Sequence, residues 1–525
     1  MARIGTIVMH VAVVGSLAAT AVAQSPPFDF IDVSDGRGIG PYQMAEGMGA
    51  GVAAADFDAD GDVDFFVPTA LGMPDQLYEN LGDGEFEEIA GRVGLDSRER
   101  NRVALWIDYD ADGDLDLLVA NDREDASSTY RFYAQSDRGF FVDVTKRAGF
   151  DQKIPPRFND RTAPHRGGLC AGDVNGDGWL DVYSAQWNGY PRLFVHNGDP
   201  RNPSFVDVTR DSGVLDSYWA GHQPMMADFD RDGDLDIYAA IDFLHNSLFL
   251  NNGCGVFVDV APDIGVDNAM NDMGMTLGDY DNDGDLDVYV TNIYTAFAYN
   301  IMLRNDTVAP NIAFTEVSVD LKTDEGGWAW GTTFLDADND GWLDIAATNG
   351  WETPNFTHDR SRFFWNRLGA GDDEFLDVSD DVHFNDTEWG STLVAFDADR
   401  DGDLDLLQSC KDGPLRLLDN QRHVGTLDHN YLVVQPRMVA PNRFAIGAIV
   451  RVRVGVHELM RPITAGTSYL GQEPAEAFFG LGAAEWVDSL RIEWPDGAVT
   501  VLNDIAAGQV LVVERIIRPG GSDNG

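Results

Sequence analysis

Cysteine is scarce in this chain: Cys170, Cys254 and Cys410 are the only three and lie far apart along 525 positions. Their odd number and wide spacing exclude a disulfide framework or a paired-cysteine zinc site, so they read as small buried thiols. Basic charge is scarce too. Against 88 acidic side chains stand 36 Lys and Arg, a formal charge of −52, which excludes nucleic acid and anionic membrane as partners because phosphates would be repelled. Beyond the N-terminus no apolar run is long enough to cross a bilayer. Apolar residues are nonetheless plentiful, 44% hydrophobic and 11% aromatic, so the chain should fold; acidic disordered chains are poor in both.

Arg3, the apolar run from Ile7 to Ala19, and Ala21-Val22-Ala23 read as a secretory signal peptide over residues 1–23. That predicts export, to a periplasm or to the outside.

What the chain has instead of cysteine is a repeated acidic nonapeptide. It begins at Asp56 (DFDADGDVD), Asp108 (DYDADGDLD), Asp173 (DVNGDGWLD), Asp228 (DFDRDGDLD), Asp279 (DYDNDGDLD), Asp336 (DADNDGWLD) and Asp397 (DADRDGDLD), at intervals of 52, 65, 55, 51, 57 and 61 residues. Intervals of this length suit a four-stranded propeller blade. The flanks alternate as strands do: Gly51 to Ala55 before the first copy and Phe65-Phe66-Val67 after it. The acidic turn therefore joins two strands. A third run ends in Asn or Gly, as in Leu77 to Asn80, and a fourth opens on Phe: Phe86, Phe140, Phe205, Phe257, Phe314 and Phe375. The seventh unit lacks this fourth run, but Phe30-Ile31-Asp32-Val33 supplies one at the other end of the chain. The expected fold is all-β: a seven-bladed propeller over 28–422 with residues 28–35 closing the last blade, then a small β domain over 427–516.

Oxygen ligands at positions one, three, five and nine, with the carbonyl of position seven and water, make a hard six- or seven-fold set suited to Ca²⁺, one ion per blade. The expected ligands are Asp56, Asp58, Asp60, Asp62 and Asp64; Asp108, Asp110, Asp112, Asp114 and Asp116; Asp173, Asn175, Asp177, Trp179 and Asp181; Asp228, Asp230, Asp232, Asp234 and Asp236; Asp279, Asp281, Asp283, Asp285 and Asp287; Asp336, Asp338, Asp340, Trp342 and Asp344; Asp397, Asp399, Asp401, Asp403 and Asp405. Trp179 and Trp342 show that position seven must act through its carbonyl. The glycine at position six, Gly61 in the first copy, meets a tight turn. An EF-hand is excluded, because position twelve is Val67, Val119, Ser184 or Ala239 in a β-like run rather than glutamate. Seven such ions would answer much of the charge, since 32 of the 88 acidic residues fall in these loops, and metal binding would then be folding free energy.

After Asn420 the repeat stops, and short strands follow at Tyr431 to Val434, Ala448 to Val452 and Ser489 to Trp494, the last turning through Pro495-Asp496-Gly497 into Val499 to Leu502. The acidic units with their flanking strands resemble the FG-GAP or VCBS-type repeats of calcium-binding propellers. Asn442 to Ala448, Gly466-Thr467-Ser468-Tyr469-Leu470-Gly471-Gln472, Phe479-Gly480-Leu481-Gly482 and Ile492 to Gly497 are similar to the ASPIC/UnbV domain. Together they resemble the family of cartilage-acidic-protein-like secreted proteins. The resemblance implies a calcium-bearing propeller with extracellular binding or adhesion roles and brings no agreed molecular activity; Phe444 and Gln472-Glu473 depart from its pattern.

For a ligand, the candidates stand just ahead of the acidic turns: His165, Trp328 and Trp389 eight residues before, Arg102, His222 and Trp330 six before, with Arg166 adjoining. They are expected to ring the mouth of the central channel, although tryptophans between blades and a satisfied histidine would explain the same residues. No nucleophile, base and orienting group can be assembled, which favours a binding or adhesion module for an extracellular glycan or protein. The alternative is a calcium-dependent enzyme, a carbohydrate lyase or hydrolase or a tailoring enzyme, working in the channel.

Overall fold

The computed structural model describes residues 25–44, 47–122, 130–136, 139–151, 165–187, 189–216, 220–295, 298–422 and 430–516. The expected signal peptide lies outside the described residues. Sheet I shows how each repeat folds: Ala53–Ala55, Asp64–Val67, Gln76–Asn80 and Phe86–Glu88 pair antiparallel in chain order. Six such sheets, I to VI, follow one another. Their first strands, for II to VI, are Asn101–Ile107, His165–Gly172, Gly221–Ala227, Met275–Gly278 and Ala329–Leu335.

Sheet VII is assembled from both ends of the repeat region. Trp389–Phe396, Asp405–Lys411 and Leu415–Arg422 are joined by Phe28–Asp32, which pairs antiparallel with Leu415–Arg422. Seven four-stranded sheets of this kind lie among the described residues. Phe28 and Phe30 anchor the strand, with rings 5.3 and 5.6 Å from Phe363 of sheet VI. In sheet II the fourth strand is Phe141–Asp143, one residue later than expected, and Phe140 is exposed.

Apolar residues alternate onto the faces between neighbouring sheets and fill them. Phe57, Trp106 and Phe141 stack between sheets I and II, and Val52, Phe65, Val394 and Leu407 close the seam between sheets I and VII. Cys170 and Cys410 are buried within these cores. Cys254 corrects the expectation: it is exposed, because it sits in the Asn252-Gly253-Cys254-Gly255 turn between the third and fourth strands of sheet IV.

Residues 430–516 form two further sheets. One orders Ala477–Gly482, Asn430–Arg437 and Gln509–Glu514; the other orders His457–Pro462, Ile449–Val454, Trp486–Glu493 and Val499–Ala506. No helix among the described residues is long and apolar enough to cross a membrane.

Candidate functional site

Each acidic nonapeptide runs from the end of the first strand of its sheet to the start of the second. Position six is glycine with φ between 88° and 99° in all seven copies, as the turn requires. Position four is left-handed as well, at Ala59, Ala111, Gly176, Arg231, Asn282, Asn339 and Arg400. The sequence gives no warning of this, since only one of the seven is glycine. The loops hold themselves with short bonds: the position-six N–H donates to the first aspartate, as from Gly178 to Asp173 at 2.7 Å and from Gly341 to Asp336 at 2.8 Å. The position-seven N–H donates to the fifth, as from Asp62 to Asp60 at 2.9 Å.

The ninth aspartate does more than expected of a ligand. In every copy one oxygen accepts the position-two N–H, and the other accepts an N–H from the third strand. For Asp64 these are Phe57 at 3.2 Å and Asn80 at 2.8 Å; for Asp405 they are Ala398 at 2.9 Å and Asn420 at 2.8 Å. The third-strand asparagine then stitches neighbouring sheets. Asn80 of sheet I donates to Ala398 O of sheet VII at 2.8 Å, Asn251 of IV to Val174 O of III, and Asn420 of VII to Ala337 O of VI. In the sequence these asparagines look like turn residues; they end strands and join blades.

Carboxylate oxygens from positions one, three and nine converge within 4.8 Å at Asp56, Asp58 and Asp64, at Asp108, Asp110 and Asp116, at Asp228, Asp230 and Asp236, and at Asp279, Asp281 and Asp287. In sheet VI the group is Asp336, Asp338 and Asp340. Oδ1 atoms of Asp56, Asp108, Asp110, Asp230, Asp281 and Asp397 are buried without a hydrogen-bond partner, a costly state unless something positive answers it. Burial, with the neighbouring carboxylates adding, pushes Asp56 up to about 6, and Asp108 and Asp397 to about 7. This donor set, hard oxygens crowded and under-satisfied, fits a calcium-sized cation. At position seven three of the aspartates form ion pairs between or within sheets, Asp62 with Arg400 at 2.6 Å, Asp285 with Arg231 and Asp403 with Arg422 at 2.7 Å.

The C-terminal domain sits over the acidic loops. Arg451 donates to Gly284 O at 3.2 Å, Gly482 N–H to Asn339 O at 2.8 Å, and a Cβ on Gly402 would collide with Tyr431. Beside sheets I and II, where position four is only alanine, Phe444 packs against the core of the two sheets.

From this domain the stretch Gly466 to Gln472, with its flanks, enters the channel and touches the first strand of every sheet. Gln472 accepts from Ala54 N of sheet I at 2.9 Å and, through Oε1, from Trp106 N of II at 2.7 Å. Ala465 O accepts from Ala171 of III at 3.0 Å, Leu470 N–H donates to Gln223 of IV at 2.9 Å, and Ser468 O accepts from Met275 of V at 2.8 Å. Ser468 Oγ takes N–H bonds from Thr332 of VI and Leu393 of VII at 3.1 and 3.2 Å. Bulges in the first strands of sheets II, III, IV, VI and VII, as between Asn101 and Val103 or Gly221 and Pro224, turn the intervening side chains inward.

The channel is therefore filled, and this corrects the expected ligand ring. Arg102 is buried, donating to Tyr469 OH at 2.7 Å and pairing with Asp122 at 3.2 Å. His222 lies 5.5 Å from the Tyr469 ring and 3.7 Å from Asp242, and Trp330 packs 5.1 Å from Tyr469. Arg166 is buried against Asn121 O and Gln186. Arg102, His222 and Trp330 wall a plug, Arg166 is held among its own and neighbouring strands, and none of the four faces solvent. His165 begins the first strand of sheet III. Trp328 and Trp389 are half-buried at the far mouth, away from the acidic loops, where Trp351 joins them: Trp328 stacks 5.8 Å from Trp351, and the Lys411 ammonium lies 5.3 and 5.0 Å from Trp351 and Trp389.

The ASPIC and UnbV family model matches residues 438–518, and the FG-GAP-like repeat model matches residues 56–119, 173–239 and 228–290. Cartilage acidic protein 1 of Homo sapiens is 26% identical over 506 residues, 90% of this chain and 72% of that one, and the Mus musculus protein is 26% identical over 508 residues, 90% and 74%. Among solved structures, the BP39L lectin from Burkholderia pseudomallei aligns at 10% identity and a TM-score of 0.44 over 72% of this chain and 97% of that one. The chain is a β-propeller of FG-GAP-like repeats followed by an ASPIC and UnbV domain, and it is similar to cartilage acidic protein 1 over most of its length.

Proposed function

We propose that this is an exported calcium-binding propeller that acts as a binding or adhesion module for an extracellular glycan or protein. The observation that carries the reading is the filled channel. With Tyr469 and its neighbours occupying the centre, Arg102 and His222 are committed to the plug and Arg166 is buried against Asn121 O, which weighs against the alternative of an enzyme working there. Recognition is left to the outer surface. The far mouth offers half-buried indoles of Trp328, Trp351 and Trp389 beside the Lys411 ammonium. Clustered indoles beside a polar group suit a sugar ring or an extended peptide.

Calcium in this reading is structural. Positions one, three, five and nine, with the carbonyl of seven, would hold it, and its charge would hold each turn and answer the orphaned carboxylates. A glycan array and a panel of extracellular proteins probed with the native chain and Trp389→Ala test the binding half: retained signals for the native chain, weakened by roughly tenfold or more in the variant, support it. Turnover of a bound glycan that is lost in His222→Ala would favour the enzyme instead.

A further inference from the structure

Arg461 is 7% exposed in the strand His457–Pro462, and its fork is fixed by two bonds, Nε to Phe478 O at 3.1 Å and Nη1 to Met460 O at 2.9 Å. Its ring partner Phe479 lies 5.4 Å away. The third nitrogen, Nη2, is buried without a hydrogen-bond partner. Such an orphan donor on a charged group is expensive, so what surrounds it matters.

The surroundings are two acidic loops. Arg461 lines one cavity with Asp336, the first aspartate of the loop in sheet VI. The neighbouring Met460 packs into the core around Met275 and Leu277, the strand that runs directly into Asp279, the first aspartate of the loop in sheet V. Asp279 and Asp336 are both fully buried. Burial raises both carboxyls above the ordinary range, and the Arg461 guanidinium charge opposes it at each. The arginines at position four are different: Arg231 and Arg400 reach neighbouring loops but remain 48% exposed, where water screens their charge.

We propose that Arg461 is a built-in counter-cation for the loops of sheets V and VI, steadying both before a metal binds and weakening their hold on it afterwards. The proposal rests on the calcium reading above. A fixed positive charge beside crowded carboxylates relieves their repulsion in the metal-free chain; once a divalent ion sits among them, the same charge repels it across a medium that water does not screen well. The ASPIC and UnbV domain thereby sets the metal affinity of loops that belong to the propeller.

The test uses the full chain as native protein, Arg461→Gln and Arg461→Lys, melted in chelator and through a calcium titration, with calcium binding followed by calorimetry. Glutamine removes the charge and can still donate to one of the two carbonyls; lysine keeps the charge and loses the fork. The expected result is a lower melting temperature for Arg461→Gln in chelator, a larger rise on adding calcium than in the native chain, and tightening of roughly tenfold at about two of the sites. Arg461→Lys should show the native calcium increment whatever it loses in stability. An Arg461→Gln chain that folds only with calcium present is the same result in its strongest form. Equal calcium increments for Gln, Lys and native protein would overturn the role of Arg461 while leaving calcium in the loops, whereas no increment in the native chain would overturn both.

Discussion

At the scale of the residue, the aspartates of one acidic turn divide into two jobs. The first and third positions leave buried oxygens unpaired, as at Asp56 and Asp230; the ninth gives both of its oxygens to backbone N–H groups, as Asp405 does to Ala398 and Asn420. Asp405→Asn would set an NH₂ against an N–H, and it should destabilise by about 2 kcal/mol or more already in chelator, with a further loss in calcium because position nine is also a ligand in the proposed set. Asp397→Asn should instead lose only the increment that calcium adds, and a pair of melts with and without chelator separates the two. Glu473 gives a pH signature. Burial pushes its carboxyl up to about 7, opposed by bonds from Thr333 at 2.5 Å and Ala395 N–H at 3.2 Å. A carboxyl raised on folding binds its proton more tightly in the native state, so its contribution is full below the ordinary pKa near 4.5 and is lost as pH rises through about 7. Glu473→Gln keeps an acceptor for both donors and cannot ionise; stability measured from pH 5 to pH 8 should fall less in the variant than in the native chain.

At the scale of the element, two segments far from each other in sequence hold the ring. Phe28–Asp32 supplies the outer strand of sheet VII, and Phe30 is buried between Phe363 and Phe384 at 5.6 and 6.1 Å. Phe30→Ala should cost about 3–5 kcal/mol by cavity formation, and deleting residues 28–35 should lower the melting temperature severely. The plug is the other segment. Tyr469→Phe removes the acceptor for Arg102 Nη2 and leaves a buried guanidinium under-satisfied, so a loss of about 1–3 kcal/mol is expected in denaturant unfolding. The Phe-opened fourth strands were legible because a count of their copies leaves one place unfilled, and Phe28–Asp32 pairs where the count pointed. The one-residue shift at Phe140 was not legible, since two adjacent phenylalanines satisfy the same alternation.

At the scale of the whole molecule, charge and architecture answer each other. A formal charge of −52 is concentrated in loops on the face that the C-terminal domain covers, and guanidinium groups from that domain, Arg451 at Gly284 O and Arg461 in the cavity shared with Asp336, come down onto it. Stripping the chain of divalent ions should therefore lower the melting temperature by on the order of 10 °C and loosen the C-terminal domain together with the loops, a joint change that hydrogen exchange over residues 430–516 would register. An unchanged melt in chelator would rule out structural calcium.

The repeat, the four strands of each unit, the turn glycines and the convergence of aspartates are determined by sequence alone, because all of them are local: nine residues set the turn, and period-two alternation sets the strands beside it. The fate of Arg102, His222 and Trp330 is not local. Arg102 meets Tyr469 across 367 positions, through bulges that no alternation announces and a loop from another domain whose Gly-Thr-Ser-Tyr-Leu-Gly-Gln reads as a turn until the ring exists around it. Only the closed ring brings seven first strands to one axis, and only there can one short segment bond to all of them; that decided that the channel is core and that any recognition belongs to the surface outside it.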